Sequence, residues 1–483
     1  MKKKLMALLM STMMVGSVLM TGCSTVSTEE AGETSADAED ETTTDTFKGD
    51  GDKTINILLY MQEHEKKIYS GLIEDFVEEH KDEIKEVNFE VTTQDEYATK
   101  MTANMTAGDM PDIFYVGPDS VRSYVDNGYV LPLDDYVDQE TVDNLWPAIK
   151  SAYQYDGTQV GQGSLYCLPK DLSCFAFAYN KDLFDEAGLP YPDPENPYTY
   201  DEFLEVCKAL TKDTDGDGEI DQWGVANADA FGMTPYIYGN GARFLNDDYT
   251  KVNITNNDAF KTAFQYYVDL TATEGVTPSV EQDTALGGYQ RWLDGQVAFY
   301  ACGTWDVAAF MDDSTFPYNW DLCGWPIGPN GTKSTTWLGT VGYAVSADTE
   351  NKDLCTELIK KLSTDLEGQQ AVSGETTGES LQLPNIMDYA KTTFKEKVAD
   401  GTVPYASNID VIYNYIEGSD KYEGVFSETT YTYNSEWMDI FLEGVPNVKN
   451  GTISVDEYLK EVEPKMQEAL DNAIELQNSS TND

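Results

Sequence analysis

The sequence predicts an α/β protein built on parallel sheet. Between residues 54 and 116, three runs with β-strand composition alternate with two stretches whose apolar residues recur at helical spacing. A second alternation of this kind starts near residue 168, and the chain becomes mostly helical from about residue 353. With 41% hydrophobic and 12% aromatic residues in 483 positions, the chain can bury sizeable cores. We therefore expect a globular protein.

The first five predicted elements form a strand–helix–strand–helix–strand unit. Strands are predicted at 54–60, 87–91 and 112–116, and helices at 65–80 and 96–107. This order indicates parallel strands, and ligands of such sheets collect beyond the carboxyl ends of the strands. A ligand-binding edge is therefore predicted at residues 60–63, 92–94 and 117–119.

The second unit begins with a predicted strand at 175–179. Thr199 and Glu202 have the spacing of a capping box, so a helix is predicted to start at Thr199. Further predicted elements are helices at 258–271 and 284–293, strands at 297–301 and 339–346, and a final helix ending near 474.

The charge balance excludes several classes of partner. The chain has 31 basic and 86 acidic residues, for a formal net charge of −55. Phosphate backbones and anionic membrane surfaces would repel such a chain, so we expect no nucleic-acid binding and no direct membrane-surface binding.

The N-terminus has the pattern of an export signal. Three lysines at 2–4 precede an apolar run at 5–20, which is too short for a comfortable membrane span. The small residues Thr21 and Gly22 before Cys23 resemble the lipobox of bacterial lipoproteins, with 1–22 as signal peptide and Cys23 as the lipid-modified residue. A plain signal with an incidental cysteine is the alternative. Residues 23–52 are acidic and rich in Ser and Thr, which predicts an extended tether.

Six cysteines remain after Cys23, and none forms a zinc-binding pattern. Their apolar neighbours favour buried free thiols. A disulfide between Cys302 and Cys323 stays open at this stage.

One acidic segment follows the spacing of an EF-hand calcium loop. Carboxylates occupy positions 1, 3, 5 and 9, Gly218 occupies position 6, where the loop turns sharply, and the apolar Ile220 occupies position 8. Position 12 is Gly224, where the loop normally supplies a bidentate Glu. The sequence therefore predicts either a weakened structural Ca²⁺ site or a solvated Asp-rich turn. The predicted metal ligands are Asp213, Asp215, Asp217, Glu219 and Asp221.

Several segments, taken in order, resemble the extracellular solute-binding proteins of family 1, the maltose-binding-protein-like receptors of ABC importers. The resemblance extends over about 420 residues. The matching segments are Gly108-Asp109-Met110-Pro111-Asp112-Ile113, Asn127-Gly128-Tyr129-Val130-Leu131-Pro132-Leu133, Leu168-Pro169-Lys170-Asp171, Tyr179-Asn180-Lys181-Asp182-Leu183-Phe184, Asp294-Gly295-Gln296-Val297-Ala298, Gly303-Thr304-Trp305 and Trp325-Pro326.

This resemblance implies a two-lobed, type II periplasmic-binding-protein-like fold whose discontinuous lobes close on ligand about a hinge. Lobe one would comprise 53–169 plus 341–372, and lobe two 170–340 plus 373–483. The crossovers would lie near Lys170 and Val341.

The resemblance and the strand ends together predict which residues bind the ligand. Sugars need aromatic faces and planar polar groups, and Trp305 matches the family's stacking tryptophan, with a core position as the alternative. Asp119 could bind a sugar hydroxyl or cap a turn, and Asp171 could bind ligand or serve the hinge. The complete predicted set is Trp305, Asp119, Asp171, Gln62, Glu63, Tyr236, Arg243 and Trp337.

These observations predict a monomeric, lipid-anchored receptor on the outer face of the cell membrane of a Gram-positive bacterium. It would deliver a carbohydrate to the transmembrane subunits of an ABC permease, without catalysis and without a required cofactor. The open alternatives are a peptide or other non-sugar solute, or a surface glycoside hydrolase, which would need two carboxylates flanking the scissile bond.

Overall fold

The computed structural model describes residues 42–226 and 230–480. The strands in these ranges are β1 (Thr43–Lys48), β2 (Lys53–Tyr60), β3 (Ile84–Thr92), β4 (Ile113–Val116), β5 (Gln154–Tyr155), β6 (Ser164–Leu165), β7 (Leu168–Pro169), β8 (Ser173–Asn180), β9 (Trp223–Val225), β10 (Val297–Gly303), β11 (Trp320–Cys323), β12 (Ser334–Gly339), β13 (Gly342–Val345) and β14 (Tyr422–Phe426).

Helices cover the sheets and connect the strands. The α-helices in the same ranges are α1 (Glu63–Glu79), α2 (Gln94–Ala107), α3 (Val121–Asp126), α4 (Gln139–Asp143), α5 (Pro147–Tyr153), α6 (Lys181–Ala187), α7 (Tyr200–Leu210), α8 (Ala230–Gly239), α9 (Asp258–Ala272), α10 (Val280–Ala285), α11 (Gly288–Leu293), α12 (Val307–Phe310), α13 (Lys352–Ser363), α14 (Leu366–Val372), α15 (Met387–Tyr389), α16 (Lys395–Ala399), α17 (Asp410–Glu417), α18 (Glu436–Lys449) and α19 (Val455–Ser480). Short 3₁₀ helices span Thr304–Asp306 and Glu428–Tyr431, and a π-helical turn spans Ala390–Phe394.

The first sheet confirms the predicted opening unit. Its strand order is β1-β3-β2-β4-β13-β7, and β2 pairs in parallel with both β3 and β4. Ile57 of β2 lies opposite Phe89 on one side and Ile113 on the other. All three of these side chains are buried, which fixes the register because a one-residue slip would turn them to the other face.

The predicted tether extends too far into the chain. Strand β1 pairs antiparallel with β3, from Thr43 opposite Val91 to Lys48 opposite Glu86. The Asp45 side chain also accepts a hydrogen bond of 3.0 Å from Ser70 of α1. Backbone pairing therefore orders residues 43–48 even though they have few apolar side chains. Residues 1–41, which include Cys23 and the predicted signal peptide, lie outside the described residues.

The second sheet has the order β14-β12-β8-β10-β9, with β11 pairing with β8 as well. Strand β8 is buried along its whole length and antiparallel to its neighbours. The pairs β12–β14 and β10–β9 are parallel. We call the part built on the first sheet lobe one and the part built on the second sheet lobe two.

Two neighbouring connectors carry the chain between the sheets. Residues 170–172 lead from β7 to β8, and residues 340–341 lead from β12 back to β13. The backbone N–H of Lys170 donates to the Val341 carbonyl at 2.6 Å, so the two connectors are bonded side by side. Asn385 donates from its side chain to the Lys170 carbonyl at 2.9 Å and thereby adds a third segment to this hinge. The lobe boundary at residue 372 stays a prediction.

Local signals explain where several helices begin. The predicted capping box is present at α7, where Thr199 and Glu202 exchange side-chain-to-backbone hydrogen bonds. In contrast, the predicted helix at 284–293 is interrupted, because Gly287 is extended and separates α10 from α11. The predicted strand at 339–346 is also divided, since the chain changes sheets between β12 and β13.

The six cysteines after Cys23 are buried free thiols, as the sequence favours. Burial raises the pKa of each thiol, including Cys302 and Cys323. Within residues 42–226 and 230–480, no helix combines the length and apolar character needed to cross a membrane.

Candidate ligand-binding site

An aromatic platform lies at the carboxyl ends of strands in the second sheet. Trp305 lies two residues after the end of β10 and is 42% exposed. Its ring stands edge-on against Phe175, with 5.2 Å between the ring centroids. Trp337 of β12 contacts the same phenylalanine at 5.5 Å. Phe175 therefore brings together the two tryptophans that the sequence nominated, although the sequence analysis did not select Phe175 itself.

Two glycines allow these indole rings to lie close to the backbone. A Cβ atom on Gly303 would fall 2.4 Å from the ring of Trp305, and one on Gly339 would fall 1.8 Å from the ring of Trp337. Any side chain at either position would have to displace the ring. The orientation of the platform therefore depends on both glycines.

Polar groups of lobe one gather where β2 and β4 end. Asp119 follows β4 and accepts a 3.1 Å hydrogen bond from the Ser120 hydroxyl, and burial raises the pKa of its carboxyl. Tyr60 ends β2 and packs edge-on against Tyr115 at 5.2 Å. Burial, reinforced by the charges of Asp171 and Asp119, raises the pKa of Tyr60 to about 12. Tyr60 is thus a protonated hydroxyl among carboxylates. It lies in the ligand-binding edge predicted at 60–63, although it is not one of the individually predicted ligand-binding residues.

Asp439 approaches Asp119 from the other lobe. It lies on α18, which packs in lobe two through contacts such as Phe441 against Phe244, at 5.1 Å between ring centroids. Burial and then the charge of Asp119 raise the pKa of Asp439. The structure therefore brings carboxylates from both lobes towards one another. Such groups can accept hydrogen bonds from ligand hydroxyls.

A buried ion pair supports the hinge below these groups. The Lys170 ammonium lies 2.9 Å from the Glu65 carboxylate and 3.7 Å from that of Asp171. Burial disfavours charge on Lys170, but the two carboxylates outweigh burial and raise its pKa. Burial alone would raise the pKa of Glu65, but the charge and hydrogen bond of Lys170 outweigh burial, so the pKa of Glu65 is lowered. The pair remains charged at neutral pH.

The structure places Asp171 in the hinge itself. Its Oδ1 accepts from the Val341 backbone N–H at 3.3 Å, and its carbonyl accepts from the Thr340 hydroxyl at 2.6 Å. This arrangement favours the hinge role over direct ligand binding. Gln62 and Glu63 are both exposed at the start of α1, and the Gln62 N–H donates to Glu65 at 3.0 Å.

The prediction that Tyr236 binds ligand is corrected by the structure. Tyr236 is only 2% exposed and packs in the lobe-two core, with its ring 5.4 Å from that of Trp325. Arg243 is half-buried, and its guanidinium lies 4.6 Å above the Tyr238 ring. The Tyr238 hydroxyl donates to buried Glu428 at 2.7 Å. Glu428 therefore fixes the Tyr238 ring over which the Arg243 guanidinium lies.

Part of the predicted calcium loop converges. Ligand atoms of Asp213, Asp215 and Asp221 lie within 4.8 Å of one another. Gly218 has φ 99°, a backbone conformation that favours glycine, at the position where the loop turns. Asp217 and Glu219 are not part of this group of three, and Asp217 accepts a hydrogen bond from the Glu219 backbone at 2.8 Å. The three converging carboxylates could hold a cation, which stays a prediction.

Two surface cavities lie apart from the predicted ligand residues. One, of about 890 Å³, is lined by residues of α7, α9 and the start of α19, including Tyr266. The other, of about 410 Å³, lies between lobe one and the end of α19 and is lined by Asp126 and Gln477. None of the predicted ligand-binding residues lines either cavity. The candidate site consists of the aromatic platform of lobe two and the polar groups at the strand ends of lobe one.

The two sheets, the paired connectors and the strand-end site define a two-lobed type II periplasmic binding protein. A family profile described as bacterial extracellular solute-binding protein matches residues 62–370. The chain therefore belongs to this family of binding proteins.

Similar proteins support the fold. An ABC substrate-binding protein of Listeria monocytogenes, solved in complex with cycloalternan, is 20% identical, with 86% of this chain and 99% of that chain aligned at a TM-score of 0.71. A maltose/maltodextrin-binding domain of Bdellovibrio bacteriovorus, bound to maltotriose, is 18% identical, with 86% and 99% aligned at a TM-score of 0.65.

Among curated proteins, an arabinooligosaccharide-binding protein of Halalkalibacterium halodurans is 25% identical over 241 residues, which are 48% of this chain and 49% of that protein. The first curated relatives are matched over only 26% to 49% of their own length.

Proposed function

We propose that the protein is the substrate-binding component of an ABC importer and captures an oligosaccharide between its lobes. The observation that carries this proposal is Trp305, which is 42% exposed at a strand end and held edge-on by Phe175. A water-exposed indole fixed in one orientation can stack on the apolar face of a pyranose. The names of similar proteins that bind oligosaccharides support the same ligand class.

The polar groups suit the hydroxyls of a neutral sugar. The carboxylates of Asp119 and Asp439 come from the two lobes and interact through their charges, and Tyr60 supplies a hydroxyl that stays protonated. A ligand that donates hydroxyl hydrogen bonds to both carboxylates would favour closure of the lobes, because it binds the closed form better than the open form. With a net charge of −55, the protein would repel an anionic ligand of comparable shape.

Delivery to a permease and anchoring through Cys23 are parts of the same proposal. Cys23 follows the apolar run and two small residues of the N-terminal pattern. With Cys23→Ser, we expect the protein to appear in the culture supernatant instead of the membrane fraction. Recovery of the variant in the membrane fraction at the wild-type level would argue against this anchor.

A carbohydrate panel tests the proposed ligand. Purified protein is screened for thermal shift against gluco-, galacto-, manno- and arabino-oligosaccharides, with peptides of similar size as the comparison, because a bound ligand stabilises the folded state by mass action. Sugar-dependent stabilisation supports the proposal, whereas stabilisation by peptides alone contradicts it. Chromatography of the incubated sugars checks the hydrolase alternative, which the appearance of shorter products would establish.

A further inference from the structure

A second exposed aromatic ring contacts the residues that flank the Trp305 turn in the chain. Tyr289 on α11 is 40% exposed, which is close to the 42% exposure of Trp305. Its neighbours on the same side of lobe two are buried, since Trp292, Phe310 and Phe316 are at most 2% exposed. Tyr289 therefore presents aromatic surface to solvent from a cluster that otherwise excludes water.

Two ring contacts fix Tyr289 next to the turn that bears Trp305. The Tyr289 ring lies 6.0 Å from that of Tyr300 on β10 and 6.1 Å from that of Phe310 on α12. These two contacts lie on either side of Trp305 in the chain, five residues away in each direction. The position of Tyr289 is consequently set by the same strand and helix that position Trp305.

A carboxylate of the Trp305 turn acts on Tyr289. Asp306 directly follows Trp305 in the chain, and its Oδ2 accepts from the Gly303 backbone N–H at 3.0 Å. The charge of Asp306 acts on the Tyr289 phenol: burial and then Asp306 raise the pKa of Tyr289. Exposed aromatic faces next to a carboxylate are the groups that sugar recognition uses, the faces for C–H groups and the carboxylate for hydroxyls.

We propose that Tyr289 and Asp306 form a further sugar subsite, adjacent to the one at Trp305. This subsite rests on the proposed function and extends it to ligand length. The Trp305 platform binds one ring of the oligosaccharide, and Tyr289 binds a ring further along the chain. Longer oligosaccharides therefore bind more tightly than a disaccharide, which is too short to occupy both subsites.

The test compares affinities across ligand lengths. Isothermal titration calorimetry is run on the full chain with gluco-, galacto-, manno- and arabino-oligosaccharides of two to six units. With Tyr289→Ala, we expect the longer sugars to lose roughly fivefold to thirtyfold in affinity, as for other truncated aromatic contacts. The shortest sugar that binds should keep its wild-type affinity. Tyr289→Leu, which keeps an apolar contact with Phe310, should behave in the same way if the alanine variant folds poorly.

Tyr191→Ala is the matched control. Tyr191 is 44% exposed on the same lobe, but its hydroxyl donates to Asp185 at 2.9 Å and its ring packs near Tyr179 and Phe184. The control should bind every sugar as the wild type does. Wild-type affinities in the Tyr289 variants, or an equal loss at every length, would overturn the subsite alone. Failure of the wild type to bind any of these sugars would overturn the proposed function together with the subsite.

Discussion

Lys170 and Glu65 form a buried ion pair, 2.9 Å apart, that joins the first interlobe connector to helix α1. Both side chains are only about a tenth exposed, at 10% and 11%. Since Gln382 also donates to the Lys170 carbonyl, and Tyr69 donates to Gln382 at 2.8 Å, the connector is fixed through main chain and side chain together.

Removing the ammonium should destabilise the protein strongly. Lys170→Met leaves Glu65 buried without its partner, and breaking a buried pair in this way costs about 3–5 kcal/mol. Urea unfolding followed by fluorescence measures the change. Lys53→Met is the control, because Lys53 pairs with Glu83 at a similar distance of 2.7 Å on the exposed surface and should change little. Equal effects of the two substitutions would contradict the structural role of Lys170.

The contribution of Glu65 should depend on pH. Its folded-state pKa lies below the ordinary value of 4.5, so its stabilisation is present above that value and is lost as pH falls through the folded pKa. Without the ammonium, burial raises the pKa of Glu65 above 4.5 in Lys170→Met. The difference in unfolding free energy between wild type and Lys170→Met should therefore shrink as pH falls from this raised pKa to the lower folded-state pKa of the wild type. A constant difference down to acid pH would show that Glu65 is not the partner that matters.

The ionised Asp119 carboxylate should destabilise the folded protein, whereas the ionised Glu65 carboxylate stabilises it. Burial raises its folded-state pKa above the ordinary 3.8, so its charge opposes folding at neutral pH, and the penalty is relieved as pH falls through the folded pKa. Asp119→Asn should stabilise the ligand-free protein at pH 7 by under about 1 kcal/mol, because solvent screens part of the effect. The same variant should weaken sugar binding. Calorimetric melting and titration measure both, and a loss of stability at pH 7 would contradict this assignment.

Trp305→Ala should weaken sugar binding strongly without unfolding the protein. Truncating an aromatic anchor costs about 2–4 kcal/mol of binding free energy, which corresponds to an affinity loss of roughly thirtyfold or more. The melting temperature should stay near the wild-type value because the indole is half-exposed. Trp305→Phe keeps an aromatic face, so its sugar affinity should lie between those of the wild type and Trp305→Ala. Unchanged titrations with the folded alanine variant would remove Trp305 from the site.

Calcium should stabilise lobe two if the loop at 213–221 binds it. Melting temperature is compared in excess Ca²⁺ and in EGTA, and a rise in Ca²⁺ is expected because the ion would bind only the folded loop. Asp213→Asn should abolish the rise, whereas Asp217→Asn should keep it, since Asp217 lies outside the converging group. Identical melting temperatures in the two buffers would identify the loop as an Asp-rich turn.

Much of the fold follows from short-range patterns. The capping box at Thr199 and the alternation from β2 to β4 predict elements and their order, and hence the edge where Asp119 lies. By contrast, β1 contains mostly Thr and Asp and gains its order from pairing with β3, which is a long-range contact that composition does not indicate.

The site is less predictable than the fold. Tyr236 lies on a helix that is apolar on all sides, so its spacing gives no sign that this ring faces the core. Asp439 occupies a position on an amphipathic helix that also suits a solvated carboxylate. Only the packing of α18 in lobe two brings it towards Asp119.

The location of strand β1 has a mechanical consequence. Because β1 pairs with β3 at the edge of the first sheet, the chain that precedes β1 is connected to lobe one. If Cys23 holds the protein at the membrane and the lobes close on ligand as proposed, lobe one is the tethered half and lobe two is the half that moves. Tension on the N-terminal segment would then act on the β1–β3 hydrogen bonds, and the hinge and the aromatic platform would carry none of it.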